Sequence, residues 1–524
     1  MHGDPVLPAM GTSVDEAFYF SLINNASLGV RRMGNVSLLE HRDNPDTGSY
    51  APLIQGGLKR LFGWDIATAV WFGDVVFPFV TVVLLSLAFA SLFPSAVVGA
   101  GAALLVSSII GTGFLRSISP QVTLIWVALY LWAFLGFRPG RGAAILRGTA
   151  MALLFLSHSV TLPFLLGVEG LALLFDPRVS GARRRIMLFL LALLPLVPVF
   201  ALKLVMTGNG DPVIIADTYR RMGMIASHLP AAPLLQMKVL AAGIVLLFLR
   251  RFVRDERTPA TLLLILCGAL LLALNQSIVH GIDIVFGLYY ERMAQLVLPL
   301  VGAYVLFHFL RGRYRFAAGL IFAALGLSLL TAQVIVTSTS PPSSTQPSDD
   351  PTEILTALGQ LPGERVVLAP YEIADLVPAF TRHAVAFNHF AHYQYAGDGE
   401  LAQRYLLHES FFPISSGSRD DTYPEIFSYA AGNIAARERT LCRGLSLFMK
   451  SDAACRVPIR DRIAHQELLP LLDHPAIDQA ALFQAFHVDT IVTDRPLPAF
   501  AARICSRAGE AGGFTLWSCP RVSE

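Results

Sequence analysis

From about residue 70 to residue 338 the chain is a series of long apolar runs separated by short polar loops. About ten runs stand out, near 70–92, 95–112, 119–137, 143–157, 159–175, 186–206, 234–250, 259–275, 291–310 and 316–337. A membrane-spanning helix needs about 20 residues, with a range of about 17–25. Most of the runs meet that length; 143–157 and 159–175 are short. Only a helix satisfies its own backbone hydrogen bonds in lipid, so each run is predicted to be helical. On either side the pattern changes. Residues 1–69 are largely polar, with helical spacing over 15–28 and about 52–62; Phe18, Leu22 and Ile23 fall on one face of the first stretch. Residues 339–352 form a Pro- and Ser-rich linker. Beyond it, short buried-strand patterns at 365–370, 384–387, 489–493 and 514–517 alternate with helical stretches near 353–360, 398–410, 421–435, 476–486 and 496–509. That alternation predicts a C-terminal α/β domain over 353–524.

Composition agrees. Of 524 residues, 54% are hydrophobic and only 15% charged, where soluble domains carry about a quarter charged residues. The net charge of +2 gives no reason to expect a nucleic-acid partner. The distribution of charge says more. Arg138, Arg141 and Arg147 lie in one loop region, Arg178 and Arg183–Arg185 in the next but one, Arg250, Arg251, Arg254 and Arg257 in a third, and Arg311, Arg313 and Arg315 in a fourth. The alternate loops hold only Arg116 or Arg220 and Arg221. Basic loops stay in the cytoplasm, so 1–69, 207–233, 275–290 and everything after 338 are expected outside. An external N-terminal segment needs something to carry it across, and no apolar helix precedes it in this sequence. A first span missing from the sequence is the expected explanation; insertion of the first helix with its N-terminus outside is the other.

Cys267 lies within an apolar run, while Cys442, Cys455, Cys505 and Cys519 all lie in the C-terminal domain. Their order suggests Cys442–Cys455 and Cys505–Cys519 disulfides, each worth about 3 kcal/mol on the loop-entropy account. Four cysteines allow three pairings, so the connectivity stays open.

The most informative polar feature is the pair Asp15 and Glu16 at the start of the first amphipathic helix. Carboxylates just outside a helical bundle can take a proton from an acceptor or hold a divalent cation; they also suit any helix N-terminus. Asp74 opens an apolar run, and carboxylates within membranes are usually paired or functional. His158, between the two short runs, is expected at the outer face within reach of an acceptor. Arg292 follows Tyr289 and Tyr290 where a loop re-enters the membrane. Guanidinium grips phosphate through two parallel bonds, although an aromatic and basic cluster also serves as an interfacial anchor. Arg220 and Arg221 are alternatives. His41 with Asp43 and Asp46, and His389 with His392 near His383, are weaker metal-site patterns; turn and loop roles explain them equally simply. No phosphate-binding glycine loop, zinc cysteine pattern or nucleophile elbow is present.

The stretch Val14-Asp-Glu-Ala-Phe-Tyr-Phe-Ser-Leu-Ile23, then Tyr50-Ala-Pro52, then Leu58-Lys-Arg-Leu-Phe-Gly63 resembles the first outer loop of the GT-C glycosyltransferases. These are polytopic enzymes that use polyprenyl-phosphate sugars. The segment Tyr289-Tyr-Glu-Arg292 resembles the edge of their last large outer loop. Leu376-Val-Pro-Ala-Phe380 with Ala384-Val-Ala-Phe-Asn-His389 resembles the outer domain of bacterial members. The likeness covers most of the chain in layout, and only the loop around Asp15 is diagnostic. In that family the loop directly follows a first span, so the chain as given departs from the pattern there.

The resemblance implies a mainly α polytopic membrane protein of GT-C-like fold with a C-terminal extracytoplasmic α/β domain, in a bacterial inner membrane. Its partners would be a polyprenyl-phosphate sugar donor, membrane lipid and an envelope glycan, lipid or protein acceptor. Asp15 would be the catalytic base or the ligand of a divalent cation (Mg or Mn), with Glu16 beside it. Arg292 or the Arg220–Arg221 pair would hold the phosphate, and Tyr50, Tyr289, Tyr290, His158 and Asp74 would line the substrate site. The rival is a lipid-linked glycan transporter or a non-catalytic scaffold of the same fold. Transporters tend to show inverted repeats and binding groups at the midplane; neither is evident here.

Overall fold

The structure, a computed structural model, describes residues 15–29, 35, 37–41, 50–93, 95–110, 119–207, 210–221, 224–226, 232–253, 257–280, 282–284, 288–309, 313–339, 351–413 and 478–520. Two helices precede the bundle, α1 (Asp15–Ser27) and α2 (Pro52–Phe62). Pro52 opens α2, where its missing N–H costs nothing, and Gly63 closes it in the left-handed region at φ 67°. Asp65 then caps α3 (Ile66–Ala90), accepting the Thr68 N–H at 2.6 Å.

The bundle continues as α4 (Ala96–Ile110), α5 (Ser119–Leu131, extended by a π-helical turn at Trp132–Gly136), α6 (Arg141–Ser157), α7 (Leu162–Phe175), α8 (Ala182–Leu193) and α9 (Leu196–Thr207). After the external helix α10 (Pro212–Arg221) and strand β1 (Met224–Ala226) come α11 (Pro233–Phe252), α12 (Arg257–Leu274), the short α13 (Gln276–His280), strand β2 (Ile282–Ile284), α14 (Leu288–Phe309) and α15 (Arg313–Thr339). Among the described residues, Ile66–Ala90, Ala182–Val205, Arg257–Leu274 and Tyr290–Phe309 are long and apolar enough to cross a membrane. Ala96–Ile110, Gln121–Gly136, Ser159–Phe175 and Phe316–Ala332 are shorter apolar helices. The run expected at 186–206 is two helices, because Pro195 at the junction cannot donate to the α-helical ladder. Gly148 of α6 packs against the break; a Cβ there would meet Pro195 Cδ at 2.7 Å.

Loop partners sort the bundle into two ends. At one, Arg178 donates to Phe134 O at 2.8 Å and Arg184 to Pro139 O at 3.0 Å, which joins the first two Arg-rich loops. Just inside that end Arg147 and Glu169 form a buried pair at 2.6 Å, and Tyr130 donates to the same carboxylate at 2.9 Å. At the other end β1 and β2 pair antiparallel, linking the Arg-poor loops, as Ile225 opposite Asp283 illustrates. The C-terminal domain sits on this second end.

That domain holds α16 (Thr352–Gln360), β3 (Val366–Leu368), α17 (Tyr371–Ala374), α18 (Val377–Phe380), β4 (Ala384–Val385), a 3-10 turn at His389–Tyr393 and α19 (Asp398–Phe411). It ends with α20 (Gln479–Ala485), β5 (Thr490–Thr493), α21 (Ala499–Ile504), β6 (Ser506–Ala511) and β7 (Phe514–Ser518). The sheet order is β4-β3-β5-β7-β6, with β3 parallel to both β4 and β5 and the last pairings antiparallel. Strand side chains alternate between two cores: Val367, Val385 and Val492 on one face, Val366, Leu368 and Ile491 on the other. The helix expected over 496–509 stops at Ile504 and gives way to β6, an exposed edge strand whose polar sequence carries no apolar alternation. Cys505 and Cys519, at the open ends of the β6–β7 pair, are joined by a disulfide. Cys442, Cys455 and the helix expected at 421–435 lie outside the described residues.

Helix α1 departs from a one-faced amphipathic helix. Phe20 and Ile23 pack toward Ile66, Val70 and Val122 of the bundle, while Ala17 joins the core of the C-terminal domain with Ala374 and Phe390. It is buried on two sides, wedged between bundle and domain. Asn24 fastens it, donating to Pro378 O and Thr381 O at 3.1 and 2.7 Å. Residues after α1 cover the free edge of β4: Val385 N donates to Ser37 O at 2.8 Å.

Candidate functional site

The junction between α6 and α7 lies inside the end of the bundle that carries the C-terminal domain. Seventeen residues of α6 and fourteen of α7 rise about 1.5 Å each, so each helix is shorter than a typical hydrocarbon core of about 30 Å. His158 is at that junction, with Nδ1 closed off from solvent. The charges of Arg292, in the first turns of α14, and Lys203, on α9, both act on it. Lys203 Nζ lies 4.7 Å from the ring centre of Phe155 and 5.9 Å from that of Tyr50. Tyr50 itself is pinned to the top of α6, its N–H donating to Leu156 O at 3.1 Å. Next to it, Trp126 donates to Ser157 Oγ at 2.9 Å. Tyr50, His158, Lys203 and Arg292 thus converge from four separate stretches of chain.

Phe155 belongs to a second feature. It lines an apolar groove of about 500 Å³ together with Leu162, Leu166, Leu196, Phe200 and Leu204. The groove lies between α6, α7 and the residues on either side of the break at Pro195. Its lining exposes no polar surface, and Lys203 stands between Phe200 and Leu204 on the same helix. The Lys203 Nζ, over the ring of Phe155, borders the groove.

The other sequence candidates fall in different places. Asp15 and Glu16 open α1; Asp15 is one helical turn before Tyr19, which packs on the same apolar cluster as Trp126. Asp74 accepts from Gln121 Nε2 at 2.8 Å, tying α3 to α5. Fully buried Gln55 of α2 lies against Gly73 next to it, and neither of its amide atoms has a partner among the described residues.

Two expectations are corrected. Tyr290, expected at the membrane edge as a substrate contact, is 2% exposed in the bundle core, and its hydroxyl accepts from Gln276 Nε2 at 2.5 Å. Arg221, expected as a phosphate ligand, is buried and ion-paired with Asp398, and also donates to Gln394 O and Ala396 O at 2.9 and 2.8 Å. Its guanidinium is committed to holding α10 on the C-terminal domain. The side chains of Asp15, Glu16, Arg220, Tyr289 and His392, and the residues Asp43 and Asp46, lie outside the described set.

His41 is also structural: its Nε2 donates to both oxygens of Glu400 at 2.8 Å. Arg404 bridges Glu400 at 2.8 Å and Glu40 at 3.0 Å. Burial pushes the Glu400 carboxyl up, but His41 and Arg404 outweigh it and hold it below the usual range. His383 sits between Arg365 N, which donates to its Nδ1 at 3.3 Å, and Leu358 O, to which Nε2 donates at 2.7 Å. Among the described residues no three His, Cys, Asp or Glu side chains converge on a metal position. Lys203 was missed by sequence reading; its signal is a lone lysine inside an otherwise apolar run.

No family model matches the chain, and no curated protein matches it. Among solved structures, it is similar to an archaeal oligosaccharyltransferase, AglB from Archaeoglobus fulgidus, in complex with an inhibitory peptide and a dolichol-phosphate. That likeness has a TM-score of 0.44 and 11% identity over 92% of this chain, which spans 65% of the length of the other.

Proposed function

We propose that this protein is a membrane glycosyltransferase of GT-C type that takes a sugar from a polyprenyl-phosphate donor and passes it to an envelope acceptor on the outer face of a bacterial inner membrane. The observation that carries the reading is the joining of the apolar groove along α9 to the two cations Lys203 and Arg292, which meet around His158. An isoprenoid chain fits a wall of leucine and phenylalanine. Its phosphate, negative and becoming more so as the glycosidic bond breaks, is stabilised by fixed cations at the groove's end. Asp15, at the start of α1, whose Tyr19 shares an apolar cluster with Trp126 beside Ser157, supplies the carboxylate that takes the acceptor proton or holds a divalent cation. Tyr50 borders the phosphate position. Residues 1–69 act as the first outer loop, 70–338 as the membrane domain and 353–524 as an outer domain that shapes the acceptor side.

The test is sugar transfer by full-length protein in lipid, with a panel of labelled polyprenyl-phosphate sugars and membrane extract as acceptor. Wild type should consume one donor, and Lys203→Met and Asp15→Asn should each lower the rate. Binding of polyprenyl phosphate without turnover of any donor would instead identify a carrier or scaffold.

A further inference from the structure

Helix α2 carries its large apolar side chains on the side turned away from the protein. Its sequence, Pro52-Leu-Ile-Gln-Gly-Gly-Leu-Lys-Arg-Leu-Phe62, has Pro52, Gln55 and Gly56 on the buried side. Leu53, Ile54 and Leu61, with Phe62 at the helix end, are exposed, Leu61 at 75% and Phe62 at 57%. Positions 53, 57 and 61 stack at the spacing of one helix face, and position 54 lies beside them. A surface helix in water has the reverse arrangement, apolar side in and polar side out. Here the buried side carries an amide and a glycine, while leucine and isoleucine face outward.

The buried side fixes that orientation. A Cβ on Gly56 would come within 2.8 Å of Ile23 O and would overlap Ala26 Cβ, so only glycine lets α2 lie this close to α1. Lys59 donates to Ser27 Oγ at 2.9 Å and to Asn24 Oδ1 at 3.3 Å. Gln55 packs against Gly73 of α3. With these contacts made, α2 cannot turn its leucines inward.

The surroundings of the face indicate what covers it. Gly63, Trp64 and Asp65 alone separate α2 from α3, which is long and apolar enough to cross a membrane. Aromatic rings run across this turn: Phe62 stacks on Trp64 at 4.8 Å, and Trp64 meets Phe72 at 5.2 Å. Along α3 the exposed Trp71, Val75 and Phe79 recur at helical spacing. The outward face of α2 is therefore joined through an aromatic turn to the exposed apolar stripe of a candidate span, and tryptophan is enriched where membrane meets water. Gly73, against which Gln55 packs, lies only about 10 Å along α3 from Ile66 at the helical rise. Interfacial helices bury their apolar face about 5–10 Å into the boundary between headgroups and acyl chains. Arg60, exposed on the same helix, suits the negative phosphates of that boundary.

We propose that the outward face of α2 is seated in the phospholipid leaflet at the end of the bundle that carries the C-terminal domain. Leu53, Ile54 and Leu61 lie among the acyl chains, and Arg60 lies at the level of the phosphates. This seating needs only that α3 crosses the membrane and does not depend on glycosyl transfer. Since α2 is fixed to α1, and Asn24 of α1 also bonds Pro378 O and Thr381 O, the leaflet steadies the helix wedged between bundle and domain.

The experiment introduces one environment-sensitive fluorescent amino acid into full-length protein, replacing Leu61 in one preparation and Glu510 of the exposed strand β6 in another. Each is reconstituted in phospholipid nanodiscs. Lipids brominated near the headgroup end of their acyl chains quench from within the leaflet; iodide quenches from water. Leu61 points outward, so its replacement leaves the buried side of α2 intact. At position 61 bromolipid should remove most of the emission and iodide little of it, and at position 510 the order should reverse. Iodide quenching at 61 equal to that at 510, with no loss to bromolipid, overturns the proposal and leaves the face in water. A probe at 61 that neither quencher reaches also overturns it, and assigns the face to another protein or to a second copy of this chain.

Discussion

Arg221 and Asp398 form an ion pair almost without access to water, their side chains 1% and 7% exposed, across the contact between α10 and the C-terminal domain. The guanidinium is saturated by Thr218 Oγ1 at 3.1 Å and by two backbone carbonyls. Removing one member of such a pair strands the other charge in a dry site, at a cost of about 3–5 kcal/mol. Arg221→Leu should therefore lower the thermal unfolding temperature of the full-length protein and raise amide exchange at 394–398. Asp398→Asn keeps an acceptor and should do less. Equal exchange in wild type and Arg221→Leu would show that other contacts hold the domain.

A second clamp joins residues 37–41 to α19 through His41, Glu400, Arg404 and Glu40. A carboxyl held below its unfolded value stabilises the fold above that value, and the contribution is lost as pH falls through the folded one. Acidification below the ordinary Glu range should thus release the 37–41 segment first, read as faster amide exchange there and at Val385, whose N–H bonds Ser37 O. Glu400→Gln should show this release already at neutral pH.

His408 works in the same direction by a different cause. Its folded value of about 3 lies far below the ordinary 6.5, so the unfolded chain binds the extra proton between them. Stability from this group is full above about 6.5 and falls steadily as pH drops toward 3. His408→Gln, which can still donate to Ala369 O, should flatten the acid side of a stability profile read by amide exchange in β3 and α19. A variant with the wild-type slope would assign the acid sensitivity elsewhere.

Helices α4 and α15 cross at glycines. A Cβ on Gly326 would meet the Leu104 carbonyl carbon at 2.7 Å, and one on Gly319 would meet Val98 Cα at 3.0 Å. Small residues at such crossings let backbones approach in lipid, where van der Waals contact drives association. Gly326→Leu forces backbone apart and should cost about 1–3 kcal/mol or more, seen as earlier loss of helicity on heating in detergent. Gly302, with nothing within 4 Å of its Cβ position, is the control; Gly302→Ala should be neutral or better.

The helices were legible in the sequence because about 20 apolar residues in a row leave a membrane chain little alternative. Loop pairing was legible through arginine placement: the Arg-poor loops do meet, through β1 and β2. Side-chain direction was not. Tyr290 and Arg292 are two residues apart at one helix start, yet one enters the bundle core and the other reaches toward His158. Arg221 looked free because its partner, Asp398, is 177 residues away. The strand β6 was hidden because an edge strand with solvent on its face needs no apolar alternation. His389 was visible only as part of a weak metal pattern; its hydrogen bond to Asp375, fourteen residues earlier, was not.

On the proposed glycosyl-transfer reading, Lys203 and the groove beside it divide the head from the tail of a lipid donor. Lys203→Met removes a cation from the proposed phosphate position but leaves the apolar wall intact. Charge-assisted hydrogen bonds contribute about 1.5–3 kcal/mol, so affinity for polyprenyl phosphate should fall about 10- to 100-fold whatever the chain length. Phe200→Ala and Leu204→Trp act on the wall instead. The first removes apolar contact along the chain; the second fills the space that Leu166 and Leu204 border. Each buried methylene contributes about 0.8 kcal/mol, so both should weaken long-chain polyprenyl phosphates far more than short-chain analogues. Affinities measured across a chain-length series in detergent would separate the two classes. Wall variants that weaken short and long chains equally would place the lipid outside this groove and leave Lys203, His158 and Arg292 without a tail to follow.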